Sequence, residues 1–151
     1  MAKLTLGHAI RDAVEAEKAA ERFYRSVAEG ASEAVAKKFL LELAEGERVH
    51  AEKIERRAAP ATGTTDTFEA NPEVQVVELI ETAPDWRFVD DVSMSMAIEM
   101  AIEGEDHAHL YYAALAGACQ GDIAHFFDEM AREEEDHGAR LREMRRKLTG
   151  G

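Results

Sequence analysis

The chain has 151 residues, a formal net charge of −13 and three prolines, with 46% hydrophobic and 32% charged residues. This length allows one sizeable core, and the composition favours a helical domain over a disordered or all-β protein. The acidity argues against nucleic acid as a partner, because phosphate recognition requires basic patches. The sequence shows no apolar run that approaches the roughly 18 residues of a membrane span and no export signal at its start. We therefore expect a cytoplasmic protein without membrane partners.

Hydrophobic periodicity predicts four long helices, each about 25 residues or ~37 Å in length, which is typical of a helical bundle. Gly30 provides a stop signal for the first helix, Ser32 an N-cap for the second and Asp122 an N-cap for the fourth. The predicted helices run from about Thr5 to Glu29, from after Ser32 to about Ala59, from about Ser93 to Ala118, and from after Asp122 to about Leu148.

The connection between the second and third helices is much longer than the turn inside each helix pair. It contains Asn71-Pro72, a helix-start signal that predicts a short amphipathic helix through Ile80. A long connection lets the second and third helices run in the same direction, whereas short turns give antiparallel pairs. The expected fold is an all-α, ferritin-like four-helix bundle of two antiparallel hairpins with one long crossover. Its predicted division is a single domain 1–151, with a hairpin 5–59, a crossover 60–92 and a hairpin 93–148.

The two halves of the chain resemble each other. The segment AVEAEKAAERFY, which begins at Ala13, aligns without gaps to AIEGEDHAHLYY, 88 residues later. The segment LAEGERVHAEKI, which begins at Leu43, aligns to MAREEEDHGARL, 87 residues later. The acids and histidines that occur at matching positions in both halves fall at one level near mid-bundle, on the helix faces that carry the apolar residues. The retained pairs are Glu17/Glu105, Tyr24/Tyr112, Glu47/Glu134 and His50/His137.

Four carboxylates and two imidazoles inside a bundle need a compensating interaction, since burial of unpaired charge is costly. Mutual ion pairing leaves four acids repelling one another, and proton sharing raises carboxylate pKa values without a clear benefit. Metal binding satisfies charge and geometry, because four glutamates match two divalent cations and each Glu-x-x-His pair projects from one helix face. Mixed oxygen and imidazole ligands suit iron or manganese, whereas structural zinc sites more often use cysteines, of which Cys119 is the only one.

These motifs resemble those of the ferritin-like superfamily of di-iron carboxylate proteins, nearest to the rubrerythrin group, over essentially the whole chain. The resemblance implies two iron ions, with manganese as an alternative metal. The metal ligands, which are also the catalytic residues, would be Glu17 and Glu105 as terminal ligands, Glu47 and Glu134 as bridging ligands, and His50 and His137 as ligands to one metal each.

Further side chains are expected around the ligands rather than among them. Tyr24 and Tyr112 lie at a level where a hydroxyl can hydrogen-bond a ligating carboxylate. Glu21 and His109 each follow a terminal glutamate by four residues, and His109 is also an alternative ligand. Glu133 is a candidate to orient a ligating histidine.

The sequence departs from the rubrerythrin pattern at two points. Rubrerythrins carry a rubredoxin domain with four cysteines, so we expect this one-cysteine chain to receive electrons from another molecule. They also usually place a glutamate three residues after the third-helix ligand, where this chain has Ala108. The remaining six-ligand set is closer to that of bacterioferritin, which raises ferroxidase chemistry beside peroxidase chemistry.

Residues and resemblance together predict a di-iron oxidoreductase that oxidises Fe(II) with dioxygen or hydrogen peroxide, a ferroxidase or peroxidase in iron handling and oxidative-stress defence. The alternative is a non-catalytic iron-storage or iron-delivery protein. A third hypothesis, a metal-free helical interaction module, is opposed by the six convergent ligands. The resemblance also implies a homodimer or a larger homo-oligomer.

Overall fold

The computed structural model describes residues 3–57, 67–69 and 93–150, which form four long helices and one pair of short strands. In chain order the elements are β1 (Lys3–Thr5), α1 (Leu6–Gly30), α2 (Ala34–Arg57), β2 (Thr67–Glu69), α3 (Met94–Ala118) and α4 (Gly121–Thr149). The predicted all-α bundle is confirmed, and the division into one domain stays a prediction. The short crossover helix predicted from Asn71-Pro72 lies outside the described residues.

Two helix starts differ from the predicted caps. The N–H of Lys37 donates to the carbonyl of Glu33 at 3.0 Å, which places the N-cap of α2 at Glu33 rather than at Ser32. Helix α4 begins at Gly121, so Asp122 lies within the first turn. Gly121 adopts a positive φ of 68°, which lets the chain turn into α4 two residues earlier than expected, with Gln120 as the N-cap. Both predicted caps are therefore wrong, although Asp122 still complements the positive end of the helix dipole.

Contacts between helices define their directions. Along each neighbouring pair, the residue numbers rise on one helix while they fall on the other, so α1 is antiparallel to α2 and α3, and α3 is antiparallel to α4. The contacts are Lys18–Glu55 and Arg25–Glu45 between α1 and α2, Tyr111–Ala9 and Tyr24–Glu105 between α3 and α1, and Arg142–Asp106 and Arg145–Glu99 between α4 and α3. Helices α2 and α3 thus run in the same direction, as the long crossover predicts.

The two strands, which the hydrophobic pattern does not predict, join the N-terminal end of the described chain to the crossover. They are antiparallel, with Lys3 opposite Glu69 and Thr5 opposite Thr67. Since β1 leads directly into α1, this pairing places the β2 segment at the α1 N-terminal end of the bundle.

Two apolar clusters, each built from all four helices, lie on either side of one layer of the bundle. One includes Ile10, Ile54, Leu115 and Phe127, and the other includes Tyr24, Leu43, Ile98 and Leu141. The stretches between these residues on each helix contain the six predicted metal ligands. The apolar clusters therefore separate this polar layer from both ends of the bundle. None of the described helices is long and apolar enough to cross a membrane.

Candidate metal centre

The layer between the apolar clusters holds the buried polar and charged side chains of the described part of the chain. Their exposed fractions lie between 0% and 9%, so all are removed from bulk water. They are Glu17 on α1, Glu47 and His50 on α2, Glu105 on α3, and Glu134 and His137 on α4. The structure thus brings together all six side chains that the sequence predicts.

The two Glu-x-x-His pairs meet across the bundle axis. One donor atom from each of Glu47, His50, Glu134 and His137 lies within 4.8 Å of the others, so these four could hold a metal ion between them. Nδ1 of His50 lies 2.7 Å from Oε1 of Glu134, and Nδ1 of His137 lies 3.0 Å from Oε1 of Glu47. The two rings stack with centroids 5.3 Å apart and an interplanar angle of 16°. Each imidazole therefore faces the Glu-x-x-His carboxylate of the other hairpin.

The glutamates of α1 and α3 complete two matching halves of the centre. Oε2 of Glu17 lies 3.6 Å from Nδ1 of His50, and Oε1 of Glu105 lies 3.6 Å from Nδ1 of His137. Each hairpin thus brings the glutamate of its first helix close to the histidine of its second helix.

Two buried tyrosines cross between the hairpins to hold these glutamates. The hydroxyl of Tyr112 donates to Oε1 of Glu17 at 2.6 Å, and the hydroxyl of Tyr24 donates to Oε1 of Glu105 at 2.7 Å. The second carboxylate oxygen of each glutamate has no hydrogen-bond partner. Each tyrosine therefore fixes one oxygen and leaves the other available to a ligand.

Seven buried nitrogen and oxygen atoms of this centre, each able to bind a metal, have no hydrogen-bond partner. They are Oε2 of Glu17, Oε1 of Glu47, Nδ1 of His50, Oε2 of Glu105, both carboxylate oxygens of Glu134 and Nδ1 of His137. The short nitrogen–oxygen distances among them do not meet the angular requirements of a hydrogen bond. A buried polar group without a partner costs about 1–3 kcal/mol, so seven together demand an explanation. Cations that accept several lone pairs would satisfy all of them, and the residues present therefore fit a metal pair.

The charges of the side chains alone are poorly balanced. Burial raises the pKa of Glu47 and of Glu134 well above the usual carboxyl range, and neighbouring carboxylates raise it further. Burial also acts to raise the pKa of Glu17, but contacts with Glu47 and His50 outweigh it and lower that pKa. Burial acts to lower the pKa of His50, but Glu133 and Glu17 outweigh it and raise the pKa to about 11. The layer thus holds more carboxyl groups than its histidines can neutralise, and Glu47 and Glu134 retain protons in the absence of a cation.

Two side chains expected around the ligands have partners elsewhere. The carboxylate of Glu21 accepts two hydrogen bonds from Arg25, at 2.8 and 2.9 Å. Nδ1 of His109 lies 2.9 Å from the carbonyl oxygen of Ala131, and its Nε2 lies 3.7 Å from Glu135. The group of four converging donor atoms contains neither Glu21 nor His109, and it also lacks Glu17 and Glu105, which adjoin it through the 3.6 Å approaches to His50 and His137.

An open pocket of about 490 Å³ lies between α2 and α4, over the two histidine rings. Its lining consists of Glu45, Gly46, Val49, His50 and Lys53 from α2 and Arg132, Glu133, Asp136 and His137 from α4. The sequence does not reveal this opening, since its lining resembles any solvated helix face. The pocket offers small molecules a route to the imidazole side of the centre.

A four-helix bundle with a buried glutamate and histidine cluster at its middle is typical of the ferritin-like carboxylate proteins. A solved structure from Thermotoga maritima, described as that of a ferritin-like diiron-carboxylate protein, has the same fold with a TM-score of 0.74. It is 24% identical to this chain, and the match covers 98% of this chain and 99% of that one. No curated protein sequence matches.

The family model described as Rubrerythrin matches residues 8–101 and 96–151. The chain belongs to the rubrerythrin family, which confirms the resemblance inferred from the sequence motifs. Family membership and the buried cluster together support a di-iron type of protein with a dimetal site.

Proposed function

We propose that this protein binds two iron ions in the buried centre and oxidises Fe(II) with dioxygen or hydrogen peroxide. The observation that carries the proposal is the set of seven unpartnered buried donor atoms contributed by all four helices. Four carboxylates supply the charge that two divalent cations need, and mixed oxygen and imidazole donors suit iron, with manganese as the alternative. An iron pair of this kind, when bound, supplies the electrons that reduce the oxidant.

The distances divide the proposed ligands into two halves and a shared middle. Glu17 and His50 form one half, Glu105 and His137 form the other, and both halves are buried. Each of the remaining glutamates has an oxygen close to a histidine of the other hairpin. In this proposal Glu17 and Glu105 would each hold one metal as terminal ligands, Glu47 and Glu134 would be shared between the two metals, and His50 and His137 would hold one metal each.

The surrounding parts of the chain limit access to this centre to small molecules that enter from one side. The two apolar clusters keep water away from both ends of the layer, while the pocket between α2 and α4 gives access from one side. In this proposal another molecule supplies the reducing electrons. The protein would work in the cytoplasm as a homodimer or larger homo-oligomer.

Anaerobic loading of the metal-free protein with Fe(II), followed by separate addition of dioxygen and of peroxide, tests the proposal. We expect saturation at two irons per chain, oxidation faster than in buffer, and turnover when a reductant is supplied. Iron uptake far beyond two per chain would instead support the storage or delivery alternative. A protein that binds no iron, or that leaves the oxidation rate unchanged, would contradict the proposal.

The tyrosine contacts give a further prediction. Tyr112→Phe removes the donor to Oε1 of the buried Glu17 carboxylate, so we expect a loss of about 1.5–3 kcal/mol in the unfolding free energy of the metal-free protein. We also expect metal affinity to fall about 10- to 100-fold, because the carboxylate loses its orientation. Urea denaturation and metal titration measure the two effects. Tyr111→Phe is the matched control, since its hydroxyl donates to the carbonyl of Ala9 at 2.8 Å, away from the centre. An unchanged metal affinity in Tyr112→Phe would contradict the assigned role.

A further inference from the structure

The two histidines of the centre correspond to each other in the internal repeat. They differ in what surrounds Nε2, the outer ring nitrogen, which lies on the opposite side of the ring from the carboxylates of the centre. Nε2 of His50 lies 2.7 Å from Oε2 of Glu133 on α4. The position of α2 that corresponds to Glu133 is Gly46, 87 residues earlier. A Cβ at Gly46 would lie 3.5 Å from Cε1 and 3.6 Å from Nε2 of His137, so this position adjoins the same part of the other ring. One imidazole thus has a carboxylate behind it and its counterpart has a glycine.

The outer nitrogen of His137 lacks an acidic partner in the described part of the chain. The carboxylates close to His137, from Glu47 and Glu105, approach its Nδ1 instead. The His137 side chain is also more exposed than that of His50, at 11% against 5%. Because Gly46 has no side chain, the outer edge of the His137 ring opens into the pocket.

A carboxylate behind a histidine changes its behaviour as a ligand. By accepting the Nε2–H, it holds the ring in place, and once a metal has displaced the proton on Nδ1 it favours the tautomer that binds through Nδ1 and makes that nitrogen a stronger metal ligand. Lys53 helps to hold Glu133 in this position, with Nζ 3.8 Å from Oε1. The ring of His50 is therefore held in one orientation for a metal that displaces the proton from Nδ1, whereas no carboxylate of the described residues holds the ring of His137 in this way.

We propose that Glu133 makes the two metal positions unequal. The position at Glu17 and His50 fills first and holds its metal tightly, and the position at Glu105 and His137 is weaker and exchanges its metal through the pocket. This inference rests on the proposed metal centre and adds an order of filling to it. Glu133 acts here as a positioning residue, since it contacts the outer side of the ring.

Stepwise anaerobic titration of the metal-free protein with Co(II), followed by its visible absorption bands, tests the inequality. The parent should bind in two steps whose dissociation constants differ by about tenfold or more. Glu133→Gln should weaken the tighter step by about 10- to 100-fold and leave the other unchanged, while Glu133→Asp retains part of the effect. Glu129→Gln, which removes the same charge from an exposed position of α4, is the control and should leave both steps unchanged.

The reciprocal variant adds the missing carboxylate. Gly46→Glu places an acid beside the outer nitrogen of His137, and its Cβ fits at ordinary contact distance. We expect it to tighten the weaker step by about tenfold and to leave the tighter step unchanged. Gly46→Ala is the control, since it adds the Cβ without the carboxylate and should leave both dissociation constants unchanged.

The possible outcomes separate this inference from the proposed function. Two metals bound with equal affinity by the parent, or equal weakening of both steps in Glu133→Gln, would overturn the inequality and leave the metal centre standing. A parent that binds no Co(II) would overturn the metal centre itself. Far-UV circular dichroism of every metal-free variant establishes that the helices are intact, and Gly46→Glu provides an independent measurement if Glu133→Gln unfolds.

Discussion

Replacing Glu47 by alanine should abolish binding of the metal pair. Its Oε1 lies 3.0 Å from Nδ1 of His137 and 3.8 Å from Nδ1 of His50, so this carboxylate adjoins both proposed metal positions. Loss of a ligand shared by both positions should cost more than the ~10- to 100-fold associated with an outer partner of a ligand. We therefore expect the metal content after anaerobic loading and desalting to fall from two per chain to less than one.

His137→Ala should have a smaller effect, because this imidazole serves a single position. We expect one metal per chain to remain, held at the Glu17 and His50 half of the centre. Glu42→Ala is the control on α2, since this acid is 52% exposed and pairs with Arg140 on the surface. If Glu47→Ala and His137→Ala retain two metals with parental affinity, the assigned ligands are wrong.

The second large effect is a loss of stability of the metal-free protein as pH rises from about 5.5 to 7.5. The pKa values of Glu47 and Glu134 are raised well above the usual range, chiefly by burial. Between the unfolded and folded pKa values, the folded chain keeps protons that the unfolded chain has released. Stability is therefore fully present below the unfolded pKa and is lost as pH rises, by up to about 1.4 kcal/mol per pH unit for each such proton.

His50 acts in the same direction over the upper part of this range. Its pKa is raised to about 11, so above its unfolded value of roughly 6.5 the folded chain again holds the extra proton. Glu17 has a lowered pKa and acts in the opposite sense, but only as pH falls below the ordinary carboxyl value. The groups with raised pKa values therefore determine how the stability of the metal-free protein changes between pH 5.5 and 7.5.

Thermal unfolding in the presence of a chelator measures this dependence. We expect Tm to fall by about 5 °C or more across the range, given ~2–4 °C per kcal/mol for a chain of this size. The double variant Glu47→Gln/Glu134→Gln should unfold at a higher temperature than the parent at pH 7.5 and show a flatter profile. A parent whose Tm rises or stays constant would show that these carboxyls do not retain protons. Bound metal should reverse the trend, because cations displace the protons at higher pH.

Most of the fold follows from local patterns that the sequence displays directly. Periodicity predicts the four helices, and the length of the crossover predicts that α2 and α3 run in the same direction. The two cap predictions fail for a local reason, since a cap depends on the dihedral angles of one or two residues. At Gly121 a positive φ moves the start of α4 ahead of Asp122, and at α2 the first helical hydrogen bond is accepted by Glu33.

The sequence by itself determined the composition of the buried layer, because the internal repeat and the helical period place Glu47, His50 and their counterparts at one level on inward faces. Only the tertiary structure decided how these groups meet. Tyr24 and Tyr112 reach the glutamate of the opposite hairpin, and His109 turns to a backbone carbonyl. These contacts join residues far apart in the chain, and helix rotation and side-chain packing set them. For the same reason, the repeat alone does not show that Glu133 lies behind one imidazole while its counterpart, a glycine, leaves the other open.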